Sequence, residues 1–148
     1  MKYKNKKLLI EKINFENIAK YYGTPTYCYS YNKLKENIKN FKKKFQSFSP
    51  LICFAVKSNT NLNLIKEIKK FGLGADVVSK GELMMALKAG ISPKKIVFSG
   101  VGKKTNEIIY AIEKKILLIN AESKSEIEEI NRIAKLRRTK VSVGIRLN

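Results

Sequence analysis

From residue 51 onward the chain alternates short apolar runs with amphipathic stretches. The runs are Leu51–Val56, Ala75–Val78, Lys95–Phe98, Ile116–Ile119 and Val141–Leu147. The first four are near-continuous, as in parallel strands covered on both faces, and the last alternates as Val141, Val143, Ile145 and Leu147. Helices with readable ends lie between them. One spans about Leu62 to Phe71, turns Ile65 and Ile68 inward and stops before Gly72. The next opens at a capping-box pattern, Ser79-Lys80-Gly81-Glu82, runs through Leu83, Met84, Ala86 and Leu87, and ends at Gly90 before Pro93. A third begins near Thr105 and buries Ile108, Ile109 and Ile112. A fourth repeats the box as Ser123-Lys124-Ser125-Glu126, with Ile127, Ile130 and Ala134 on one face. Ahead of the repeat, Leu34, Ile38, Phe41 and Phe45 mark another amphipathic helix.

Strand ends recur near Lys57, Ser79, Ser99, Ala121 and Arg146, which is the spacing of βα units. Five such strands form either an open doubly wound sheet or the first half of a (β/α)8 barrel, and periodicity does not choose between them. Ser99-Gly100-Val101-Gly102-Lys103 reads as a glycine-bearing βα turn, too short for a P-loop. In both architectures ligands bind at the carboxyl ends of the strands. The candidate site residues are therefore Lys57, Ser58, Asn59, Asp76, Ser79, Ser99, Asn120, Glu122 and Arg146.

Lys57 stands out among these. It ends the run Phe54-Ala55-Val56-Lys57, which directs its ammonium toward the ligand face. A lysine desolvated there, near a second cation such as Arg146, is held neutral and can form an imine with a carbonyl. Asp76 interrupts an apolar strand, where a carboxylate needs a partner that Lys57 or a bound ligand would supply. The competing reading of a lone strand-end lysine is a snorkelling surface residue.

The formal charge of +19 changes this picture little. Only four of the 31 basic residues are arginine, the residue whose planar fork reads phosphates and bases. The lysines are scattered over the outer faces of the expected helices, and Lys42 to Lys44 lie opposite an apolar stripe. Nucleic acid is therefore not an expected partner. No run approaches the ~20 apolar residues of a membrane span, and the start lacks the apolar core of a secretory signal. No membrane partner and no metal are expected. A cytoplasmic protein with Cys28 and Cys53 as reduced thiols is the expectation.

Five ordered segments carry a family resemblance. Phe54-Ala55-Val56-Lys57-Ser58-Asn59 resembles the cofactor-lysine motif of fold-type III pyridoxal-phosphate decarboxylases. Gly74-Ala75-Asp76-Val77-Val78-Ser79-Lys80-Gly81-Glu82-Leu83 is similar to a second segment of that family. Ile96-Val97-Phe98-Ser99-Gly100-Val101-Gly102-Lys103 resembles a stretch typical of its diaminopimelate-decarboxylating branch. Tyr22-Gly23-Thr24-Pro25-Thr26-Tyr27 and Gly144-Ile145-Arg146-Leu147-Asn148 are similar to the family's opening segment and to a barrel strand ending in R-x-N.

The resemblance implies an α/β fold, a partial (β/α)8 TIM barrel of the alanine-racemase-like type, comprising about its first half. Residues 1–30 would be an N-terminal segment and residues 31–148 the first half of the pyridoxal-phosphate-binding barrel. It implies pyridoxal 5'-phosphate as cofactor and decarboxylation of meso-2,6-diaminopimelate to L-lysine, in an enzyme that is a homodimer at full length. Lys57 would be the Schiff-base lysine, Asp76 and Glu82 part of the polar network beside it, and Arg146 a neighbour of the cofactor. Glu82 has a competing role as a helix cap. Eight units at this spacing would need roughly 185 residues, so the chain is expected to be a fragment of a longer protein or a truncated gene product, inactive alone. The family's later parts, among them a ring-stacking histidine, are not in this sequence, which has no histidine. Two rivals stay open: an ornithine- or arginine-type decarboxylase, and a non-catalytic pyridoxal-phosphate-binding barrel.

Overall fold

The computed structural model describes residues 1–147. They divide into two compact units, Met1–Ser49 and the chain from Pro50 onward.

The first unit opens with a small antiparallel sheet in the order β1 (Lys2–Lys4), β2 (Lys7–Ile10), β3 (Ile13–Asn14). Lys4 pairs with Lys7, leaving Asn5 and Lys6 as a two-residue turn with φ of 49° and 60°. Both residues are left-handed, the twist that a tight hairpin needs. Asn14 then caps α1 (Phe15–Tyr22) by accepting the Glu16 amide at 3.2 Å. Ser30 caps α2 (Tyr31–Lys44) by accepting the Lys33 amide at 3.1 Å. The Asn32 amide and the Ser30 hydroxyl both donate to Glu11, at 2.8 and 2.7 Å, and hold its carboxyl below the ordinary value. The expected stripe on α2 is buried only at Ile38; Phe41 and Phe45 pack ring to ring at 4.8 Å yet stay exposed.

The second unit runs β4 (Cys53–Ala55), α3 (Leu62–Lys70), β5 (Gly74–Val77), α4 (Lys80–Lys88), β6 (Ile96–Phe98), α5 (Thr105–Glu113), β7 (Leu118–Ala121), α6 (Lys124–Leu136) and β8 (Val143–Ile145). Its five strands are parallel and lie in chain order, β4-β5-β6-β7-β8. A doubly wound sheet reverses its strand order at a switch point, and this one does not. The order is that of a barrel wall.

Within the described residues the helices pack on one face of the sheet. Ala75, Val77, Ile96, Phe98, Ile119 and Ala121 are at most 1% exposed, in one core cluster with Ile65, Leu83, Ala86, Ile108, Ala111, Ile130 and Ile133 of the helices. The alternate residues Asp76, Val97, Leu118 and Asn120 are only half-buried. The runs look continuous because Val97 and Leu118, on the face opposite the helices, are apolar too. On α6 the buried residues are Ile130 and Ile133, one position away from the expected Ala134. The last strand is shorter than its apolar run: Val143 pairs with Ile119 and Ile145 with Ala121, while Ile145 stays 68% exposed.

Candidate functional site

Parallel pairing places Ala55, Asp76, Val97 and Leu118 side by side across four strands. The carboxyl ends of those strands form the rim on which the sequence candidates lie. Lys57 sits two residues past the end of β4, in a 3-10 turn over Val56–Ser58 rather than on the strand as expected. The turn is closed by the Asn59 amide on the Val56 carbonyl at 3.0 Å and by the Ser58 hydroxyl on the Ala55 carbonyl at 2.7 Å. Val56 is buried by this arrangement, while Lys57 is exposed. Ser58 and Asn59 are occupied locally, since the Asn59 side chain accepts the Asn61 amide at 2.9 Å.

Asp76 finds its partner elsewhere than expected. The Ser99 hydroxyl, just past β6, donates to Asp76 Oδ1 at 2.6 Å. Asn120 Nδ2 on β7 in turn donates to Ser99 Oγ at 3.0 Å. Burial, and after it the charge of Asp76, pushes the Cys53 thiol above its ordinary value. Both cysteines are free thiols.

Arg146 was expected to lie near Lys57 as a second cation, but its guanidinium pairs with Glu122, Nε to Oε2 at 3.5 Å. The other Glu122 oxygen accepts the Gly100 amide at 2.9 Å. Asn148, the last residue of the R-x-N match, lies outside the described residues.

Ser79 and Ser123 cap α4 and α6 as their boxes predict, each accepting the amide three residues on at 3.2 Å. Their glutamates reach one residue further back than a capping box does: Glu82 accepts the Val78 amide at 2.9 Å and Glu126 the Glu122 amide at 2.7 Å. Glu82 therefore has a structural bond at the rim.

Sequence reasoning missed Lys103. Its side chain is fully buried, and its Nζ donates to the carbonyls of Gly100 and Asn120 at 2.7 and 2.6 Å and to Glu126 Oε1 at 3.2 Å. The available signal was the pair of glycines before it. Gly100 and Gly102 have φ of 94° and 68°, backbone that lets the turn fold back and carry the lysine inward.

The rim carries an exposed primary amine, the Asp76 carboxylate fixed by a hydroxyl, and a guanidinium paired with the Glu122 carboxylate. That set suits an anionic carbonyl compound held through Lys57, and so fits pyridoxal phosphate. An open groove of about 690 Å³ in the first unit is lined by residues such as Ile10, Tyr21, Tyr22 and Tyr27. It has no lysine or arginine in its lining and does not suit that chemistry.

A sequential parallel βα wall with an amine at its carboxyl rim is compatible with enzymes that bind a carbonyl cofactor through a lysine. Comparison with known proteins is more specific. Residues 31–148 match the family described as "Pyridoxal-dependent decarboxylase, pyridoxal binding domain", and the chain belongs to that family. It is 42% identical over 148 residues to a diaminopimelate decarboxylase from Aquifex aeolicus, covering 100% of this chain and 35% of that protein. It superposes with a TM-score of 0.87 and 42% identity on the crystal structure of diaminopimelate decarboxylase from Helicobacter pylori complexed with L-lysine, over 91% of this chain and 34% of that one. Ornithine decarboxylase from Entamoeba histolytica is more distant, with a TM-score of 0.59 and 26% identity over 74% of this chain and 33% of that one. The chain thus spans about a third of the length of the curated relatives it matches. Its fold is α/β, the N-terminal part of the TIM barrel of fold-type III decarboxylases. Among the described residues no helix is long and apolar enough to cross a membrane.

Proposed function

We propose that the protein decarboxylates meso-2,6-diaminopimelate to L-lysine with pyridoxal 5'-phosphate. The observation that carries this reading is Lys57, an exposed amine at the carboxyl end of the first parallel strand, within the motif Phe54-Ala55-Val56-Lys57-Ser58-Asn59. Similarity to diaminopimelate decarboxylases across the whole chain supports the substrate over ornithine or arginine.

In this reading residues 31–148 form the first half of the cofactor-binding barrel, preceded by residues 1–30. Lys57 and Arg146 would hold the cofactor: Lys57 through its Nζ amine, and Arg146 from the Glu122 ion pair at the end of β8. The cofactor, when bound, supplies the electron sink that makes loss of CO₂ from an α-amino acid feasible at neutral pH. Lys57 Nζ, when not bonded to the cofactor, would be the group placed to hold or move a proton. Asp76 keeps a carboxylate on the strand next to the one that leads into Lys57, with Oδ1 fixed by Ser99. The protein is a cytoplasmic homodimer in this reading.

The test uses the full-length protein with added pyridoxal phosphate. CO₂ release from meso-diaminopimelate, with ornithine and arginine as controls, reads the substrate. Borohydride reduction followed by peptide mapping reads the lysine. We expect turnover of diaminopimelate alone and a reduced adduct on Lys57 that is lost in Lys57→Ala. Turnover of ornithine or arginine in preference, or an adduct that persists in Lys57→Ala, would refute the reading.

A further inference from the structure

We propose that Ser99 is a positioning residue that sets the orientation of Asp76, and that the buried Lys103 clamps the turn that carries Ser99. The proposal rests on the reading above in one respect, that Asp76 belongs to the cofactor site.

Asp76, Ser99 and Asn120 belong to three adjacent strands or their ends, and their side chains form one hydrogen-bonded chain. Its direction is set by chemistry. A serine hydroxyl has one proton, and an ionised carboxylate only accepts. Ser99 must therefore spend its proton on Asp76 and take a donor from Asn120, and only the amide nitrogen of Asn120 can provide one. Gly144 keeps this arrangement open on the next strand, because a Cβ there would collide with Asn120 Oδ1. The result runs from Asn120 through Ser99 to Asp76, with a short charge-assisted bond of 2.6 Å at its end. Asp76 has one oxygen committed, and among the described residues none donates to Oδ2, which stays open to a group bound at the rim.

Ser99 follows the last residue of β6, so strand pairing alone holds it poorly. Its own amide bonds Val77 at 2.8 Å, and the next residue, Gly100, turns away with φ of 94°. Lys103 fastens this turn. One ammonium binds the carbonyl of Gly100, beside Ser99, and the carbonyl of Asn120, whose side chain donates to Ser99. Its third donor goes to Glu126. Three donors meet three acceptors, so the ammonium is saturated and acts as a tie rather than a reagent. It fixes the separation between the two residues that orient Asp76.

The experiment uses the full-length protein loaded with pyridoxal phosphate. The readouts are the pH titration of the bound cofactor's visible absorbance without substrate, and kcat and KM with diaminopimelate. Ser99→Ala is expected to shift the spectroscopic midpoint and lower kcat about tenfold, with KM within about twofold, as for an interaction that matters in the transition state. Ser99→Thr, which keeps the hydroxyl, is expected to restore both. Glu126→Gln loosens the clamp while leaving Lys103 in place, and is expected to move the midpoint in the same direction by less. An unmoved midpoint in Glu126→Gln removes Lys103 from the proposal. If Asp76→Asn alters spectrum and turnover while Ser99→Ala behaves as the parent, or if Thr is as impaired as Ala, the positioning role is wrong and the site reading stands. If Asp76→Asn also leaves both readouts unchanged, the site reading itself fails.

Discussion

The ammonium of Lys103 lies 3.2 Å from the carboxylate of Glu126, with the lysine side chain fully buried and that of the glutamate 9% exposed. Removing one partner of such a pair leaves an uncompensated buried charge, which costs about 3 kcal/mol or more. Lys103→Met is therefore expected to lower stability by that order. Lys124→Met serves as the control: its pair with Glu128 is 4.0 Å long and the two side chains are 92% and 68% exposed. An exposed pair of this kind contributes less than about 1 kcal/mol. Urea denaturation of the two variants checks the contrast, and equal losses would refute the structural role of the buried tie.

The two capping serines allow a paired comparison. Ser79→Ala and Ser123→Ala each remove an acceptor from the first turn of a helix and are expected to cost about 1 kcal/mol. Ser125 sits in the same turn as Ser123, but no helix amide donates to its hydroxyl among the described residues; it bonds Ser123 at 3.0 Å. Ser125→Ala should be nearly neutral. Chemical denaturation midpoints order the three, and a loss at Ser125 as large as that at Ser123 would contradict the capping assignment.

Glu129 makes the acid limb of stability specific. Hydrogen bonds from the Arg132 side chain, then from the Thr105 hydroxyl, push its carboxyl down from 4.5 to about 2. A depressed folded-state value means that the stabilisation is fully present above about pH 4.5 and is lost as pH falls through about 2. Carboxyl carbon NMR should show Glu129 titrating near the lower value, and Arg132→Ala should move it up toward 4.5. A Glu129 that titrates normally with Arg132 present would contradict the geometry.

The net charge of +19 is expected to give weak, unselective binding to duplex DNA that fades with salt, because the lysines are spread rather than gathered into a reading surface. Fluorescence anisotropy across a salt series tests this. A sequence-specific complex that survives about 200 mM salt would overturn the enzyme reading.

The legibility of the site was uneven for identifiable reasons. Lys57 was found because a strand-end lysine after Phe54-Ala55-Val56 is a local pattern, but the 3-10 turn that carries it was not, since Val56 reads as strand by its apolarity. Asp76 was singled out as a carboxylate needing a partner; that partner, Ser99, stands 23 residues away and is brought in by strand pairing. The Glu122 partner of Arg146 is not legible in the sequence, because charge alone does not say which strand end lies beside it. The N-terminal hairpin went unread because its strands are only two to four residues long, with two polar residues in the turn.

What the sequence by itself determined is the βα repeat, the helix starts at Ser79 and Ser123, and the rim residues worth examining. Each of these rests on side-chain periods and caps that act within a few residues along the chain. The tertiary structure alone decided that Ser99 and Asn120 meet Asp76 in one hydrogen-bonded chain, and that the Lys103 side chain is buried rather than solvated. Those outcomes depend on hydrogen bonds and contacts between residues about twenty positions apart, which parallel pairing brings together only after the intervening helix has packed.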